Sequence, residues 1–140
     1  MGQATYDDVN LILKLYEIRR EEKMRAARSW FGANFKVKTM EDWAKLCPMG
    51  SEANAFARQV ISYWDMTASF ITSGVLNPEL FFHSNRELLM VWVRVQPILE
   101  EWRKAYGDPG YLRNLEKVAG MYADHLGAHV YESYAARLRA

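Results

Sequence analysis

Three histidines are the residues best placed to do chemistry in this 140-residue chain. His125 and His129 stand four apart, a spacing that on a single helix can aim both imidazoles at one divalent metal ion. Glu132 follows three residues later on the same side, and His83 offers a third imidazole from the junction of two other helices. On 100° per residue, His129, His125 and Glu132 form a file along the border of the buried face of the last helix. The alternative is that these are boundary histidines bonded to carbonyls or water, with Glu132 solvated. Asp124 points away from the rings, so no carboxylate is placed to orient them.

Other chemistry finds less support. Glu21-Glu22, Glu41-Asp42 and Glu100-Glu101 are adjacent pairs, and neighbours on a helix diverge by about 100°, so neither pair member shares a substrate bond with the other. They read as solvated faces or helix-dipole partners. No serine sits in a Gly-x-Ser-x-Gly turn, and no glycine-rich loop leads from a strand to a helix to cradle phosphate. Glu-x-x-His, the di-iron bundle signature, does not occur. Cys47 is the only cysteine, which excludes an internal disulfide and fits a reducing, cytoplasmic setting. It reads as a small apolar residue at a helix end.

Composition points the same way. Half the residues are hydrophobic and 14% are aromatic, so an ordered core is expected. The 18 basic residues face 17 acidic ones, and each half of the chain is balanced. A nucleic-acid binder gathers excess Lys and Arg, so nucleic acid is not the expected partner. No apolar run reaches the 18 residues of a membrane span, and the N-terminus lacks a signal-peptide pattern and the myristoylation Ser or Thr. Arg19, Arg20, Lys23, Arg25 and Arg28 form the strongest basic segment. Behind Leu11-Ile12-Leu13 it offers a surface for an anionic membrane or acidic partner, but Glu17, Glu21 and Glu22 favour a solvated, self-paired helix face.

The elements that must position these residues are helical throughout. A first helix is expected from Thr5 to Phe35, either bent near Gly32 or projecting its first turns beyond the bundle, with Val9, Ile12, Leu13, Tyr16, Ala27, Trp30 and Phe31 on one stripe. Thr39 to Asp42 reads as a capping box opening a short helix that stops at Pro48. Ser51 caps a helix ended by Gly74, with Phe56, Val60, Trp64 and Ile71 buried. Asn77-Pro78-Glu79 starts a short helix, and Ser84 to Glu87 reads as a second capping box. The helix behind it, with Trp92 and Trp102 in its stripe, is expected to kink at Pro97 and stop at Gly107. A last helix follows Pro109 and runs to Leu138, weakened by Gly120 and Gly127. The fold class is therefore all-α: one domain over 1–140, an antiparallel helical bundle of four main helices with two short accessory helices.

Two resemblances follow. The histidine pattern is loosely similar to metal-dependent bundles of the DinB type, which use three histidines, two at this spacing. That likeness implies a metal at His125, His129 and His83. A longer pattern comprises Trp30, Tyr63-Trp64, Gly74-Val75-Leu76-Asn77-Pro78, Trp92, Pro97-Ile98, Arg103 and Tyr106-Gly107-Asp108-Pro109. Over residues 25–120 it resembles a family of small bacterial helical proteins of unknown function. Many relatives carry an N-terminal membrane helix, and this chain has its charged first helix instead. The resemblance implies an uncharacterised helical domain and transfers no active-site residue.

Adjacent aromatics Trp30-Phe31, Tyr63-Trp64 and Phe81-Phe82 cannot all face one core, so some are expected on a second face, covered by an accessory helix or a partner subunit or left as an exposed patch. The function expected is a non-enzymatic interaction or regulatory module binding protein, including a homo-oligomer, with no resident cofactor. The alternatives are the metal-dependent bundle enzyme and a small-ligand bundle with a pocket beside Pro97, lined by Trp92 or Trp102.

Overall fold

The computed structural model describes residues 2–140, and these form eight helices with no strand among them. They are α1 (Tyr6–Arg19), α2 (Glu22–Asn34), α3 (Met40–Leu46), α4 (Glu52–Thr72), α5 (Pro78–Phe82), α6 (Glu87–Tyr106), α7 (Arg113–Leu126) and α8 (Ala128–Arg139). The all-α class holds. α4 lies between α2 and α7, its two most extensive neighbours, while α6 packs on α7 and α8.

Start signals act largely as the sequence suggests. Thr5 and Thr39 each form a capping box, with Asp8 and Asp42 as the returning carboxylates. The Ser51 hydroxyl accepts from the Asn54 amide, and Asn77 Oδ1 from the Leu80 amide at 2.9 Å, with Pro78 in the first helical position.

Four boundaries depart from expectation. At one of them the Asp108-Pro109 turn does not open the last helix, because the chain passes through Leu112 at φ 60° before α7 begins at Arg113. The long first helix is two helices. At the joint, the Glu21 carboxylate turns back onto the Lys23 and Met24 amides and starts α2, while Arg28 Nη1 donates to the otherwise orphaned Arg19 carbonyl at 3.0 Å. Gly32 sits inside α2 and no break occurs there. The last helix is also two, because Gly127 adopts φ 90°, ψ 150°, a conformation that no helix can continue through and that a side chain would resist. Finally, the Ser84–Glu87 capping box does not form: α6 starts without a side-chain cap, and Glu87 points into the bundle instead. Pro97 lies in an unbroken α6 on its exposed side.

The core is one cluster of buried side chains drawn from α1, α2, α4, α5, α6 and α7 and the segments joining them. Phe31 and Phe35 stack at 4.6 Å between ring centroids, and Trp102 meets Trp43 edge-on at 5.1 Å. Trp92, expected in the core, is only half-buried. The adjacent aromatic pairs are resolved within the chain: α1 covers Tyr63 on the flank of α4, and Phe82 packs on Tyr122 of α7 at 4.5 Å. Trp30 rests half-buried against Phe56. No second copy is required to cover these rings.

Candidate functional site

The helix that departs furthest from its sequence pattern is α1. Its hydrophobic periodicity nominates Val9, Leu13 and Tyr16 as core, yet they are 40%, 55% and 46% exposed, and Tyr6 is 86% exposed. The buried positions are Asp8, Leu15 and Arg19. Two of those three are charged. The inner face is thus Leu15, with Leu11 and Ile12 packed partly buried beside it, and two bonded charged groups, while Val9, Leu13 and Tyr16 of the expected stripe turn outward.

Hydrogen bonds explain the two buried charges. Asp8 accepts from the Thr5 amide at 2.7 Å and from the Asn77 amide at 2.8 Å, tying the start of α1 to the start of α5. These backbone donors, Asn77 first, hold its carboxyl below the usual range. Two turns further, the Tyr63 hydroxyl donates to the Leu15 carbonyl at 2.7 Å and accepts from Arg19 Nη1 at 3.3 Å. The Arg19 guanidinium lies over the Trp64 ring, 5.2 Å from its centroid.

The network continues across the bundle. Arg28 of α2 holds Glu87 of α6 through two bonds of 2.8 and 2.9 Å, and the Trp64 indole of α4 donates to the same carboxylate at 3.0 Å. The bond to Glu87 raises the Arg28 pKa. Arg19 and Arg28, the ends of the basic segment, are thus joints between α1, α2, α4 and α6. Only Arg20, Lys23 and Arg25 remain fully on the surface.

The sequence-nominated metal residues are differently placed. Because Gly127 interrupts the helix, His125 ends α7 and His129 begins α8, so the four-residue spacing no longer puts them on one helical face. His83 caps the C-terminus of α5. All three histidines and Glu132 are exposed, and the His125 ring packs 5.2 Å from Phe82. Among the described residues, no three His, Cys, Asp or Glu side chains are grouped to hold a metal ion.

One cleft elsewhere has its two charged groups engaged within the chain. A groove of about 560 Å³ between α4 and the turn before α7 is lined by Arg58, Asp65, Tyr111 and Leu112. Arg58 bonds Asn54, and Asp65 accepts from the Leu115 amide. Burial pushes the Tyr111 phenol up to about 12, so it stays protonated. The Pro97 position faces solvent, and Trp102 is enclosed by Phe35, Trp43 and Tyr111 rather than lining a pocket. Cys47 is buried, and desolvation raises its thiol to about 11, which leaves it unreactive.

What remains unpartnered is the outward face of α1. Tyr6, Val9, Leu13 and Tyr16 follow a 3-4-3 spacing and lie about 120° around the helix from the buried Asp8, Leu15 and Arg19, at 100° per residue.

The sequence pattern of a domain of unknown function, DUF4760, matches residues 4–122, from the cap of α1 into α7. The chain belongs to the DUF4760 family. No curated protein and no solved structure matches it. The DUF4760 match takes in α1, beyond the stretch that carried the resemblance. Within it, the patterned residues have structural tasks: Gly74 and Gly107 adopt positive φ, and Arg103 binds the Tyr111 carbonyl at 3.0 Å and Glu116 at 2.9 Å. Among the described residues, no helix is long and apolar enough to cross a membrane.

Proposed function

We propose that this DUF4760 protein is a non-catalytic interaction module. In this reading an antiparallel bundle of α2, α4, α6 and α7 carries α1 as a protein-docking element, working in the reducing cytosol. One observation supports it above the others. The inner face of α1 is anchored by specific polar bonds and by Leu15, while its four outward apolar side chains keep 40% to 86% of their exposure. Such a row on an immobilised helix is the i, i+3, i+7 arrangement by which helices dock partners.

Site-specific photo-crosslinking in the native cell tests the reading. A benzophenone amino acid replaces Leu13, and in a control it replaces Lys117, which is exposed on α7. Discrete protein adducts from position 13, absent from position 117, are expected. No adduct from position 13 contradicts the reading.

A further inference from the structure

Resting on the docking role assigned to α1, we infer that the occupant of its outward face is a second copy of the same helix, paired antiparallel across a two-fold axis. The first argument is self-complementarity. The 3-4-3 spacing of Tyr6, Val9, Leu13 and Tyr16 is that of alternating a and d positions in a coiled-coil seam. The row is symmetric about residue 11: an antiparallel copy sets Tyr6 beside the second copy's Tyr16, and Val9 beside its Leu13. A two-fold contact requires a patch that fits itself in this way.

Charge is the second argument. In this register Arg20 comes level with the second copy's Gly2, which shares a cleft with Glu79, so a cation meets an acidic neighbour at each end of the seam. Across the whole of α1 and its cap residue, Asp7, Asp8 and Glu17 balance Lys14, Arg19 and Arg20. A helix with no net positive charge has little attraction for an anionic lipid surface, which favours a second copy over a membrane.

The geometry also allows it. Because the seam lies away from the bundle-facing side of α1, two copies approach with their bundles on opposite sides. The 14-residue helix is about 21 Å long. Its seam alone covers less than the roughly 800 Å² per partner of a standard interface, so the dimer is weak and forms only at high concentration.

Sedimentation equilibrium of the purified full chain from 5 to 300 μM tests this. The wild type is expected to become dimeric, and Leu13→Glu to remain monomeric throughout with unchanged helical circular dichroism. An equimolar mixture of Val9→Cys and Leu13→Cys chains is expected to form the mixed disulfide in preference to either homodisulfide, with Cys47 inert in the core. A wild type monomeric at 300 μM, a dimer indifferent to Leu13→Glu, or a dominant Leu13→Cys homodisulfide overturns the inference. A monomer that nevertheless gives adducts to another protein from position 13 in cells removes the second copy and leaves the docking role standing.

Discussion

Glu87→Ala is expected to lower the unfolding free energy by about 3 kcal/mol, because breaking a buried ion pair from one side costs about 3–5 kcal/mol and this pair is partly screened. The Arg28 and Glu87 side chains keep 27% and 24% of their exposure, which places the effect at the lower end. Removing the carboxylate strands two donors at once. Arg28 loses both of its bonds to Glu87, and the Trp64 indole N–H loses its acceptor in the middle of α4. An unsatisfied buried donor costs about 1–3 kcal/mol. Urea unfolding should show a lower midpoint with an unchanged slope, and a thermal midpoint lower by roughly 10 °C for a chain of this size. Glu87→Gln keeps an acceptor for the indole and should lose about half as much. Equal loss in both variants would mean that the indole bond contributes nothing.

A pair of tryptophan substitutions separates hydrogen bonding from packing. Trp64 and Trp102 are both fully buried, at 0% and 1% exposure. They differ in their N–H groups: that of Trp64 bonds Glu87, and that of Trp102 is buried without an acceptor. Replacing either by Phe removes a similar volume. Trp64→Phe also gives up a bond to a charged group, worth about 1.5–3 kcal/mol, whereas Trp102→Phe removes a donor that was already unsatisfied. We expect Trp64→Phe to cost about 2–3 kcal/mol more than Trp102→Phe in urea unfolding. Equal costs would show that packing alone decides, and that the Arg28–Glu87–Trp64 junction is not a principal tie between α2, α4 and α6.

Much of the fold is legible in local chemistry. Thr5, Thr39, Ser51 and Asn77 begin helices where the sequence places them, since a cap acts within three residues of itself. The missed joints are those set from a distance. Around Arg20-Glu21 every residue favours helix, and the break rests on Glu21 as a less common cap and on Arg28 reaching back nine residues to the Arg19 carbonyl. The Ser84 cap fails because Glu87 is taken by Arg28, 59 residues earlier. Gly120 and Gly127 look alike locally, yet Gly120 stays helical within α7 and only Gly127 adopts the breaking conformation.

The candidate site was misread for a related reason. Hydrophobic periodicity assigns Val9, Leu13 and Tyr16 to the core, and in most surface helices that inference succeeds. Here Asp8 and Arg19 have partners on the α5 turn and α4 that no local window contains, and those bonds let two charged groups share the buried side with Leu15. The histidine proposal depended on one continuous helix, so the break at Gly127 removes the spacing on which it stood.

The central claim is that α1 is held by its inner face, the bonded Asp8 and Arg19 with Leu15 between them, while its outer apolar face is free for docking. The most direct measurement is the stability of Leu13→Glu by urea unfolding at 2 μM, where the chain is monomeric. The account predicts a change within about 0.5 kcal/mol, as for a surface substitution with no contacts to lose. A loss of about 2 kcal/mol or more, comparable to that of a core residue, would contradict it.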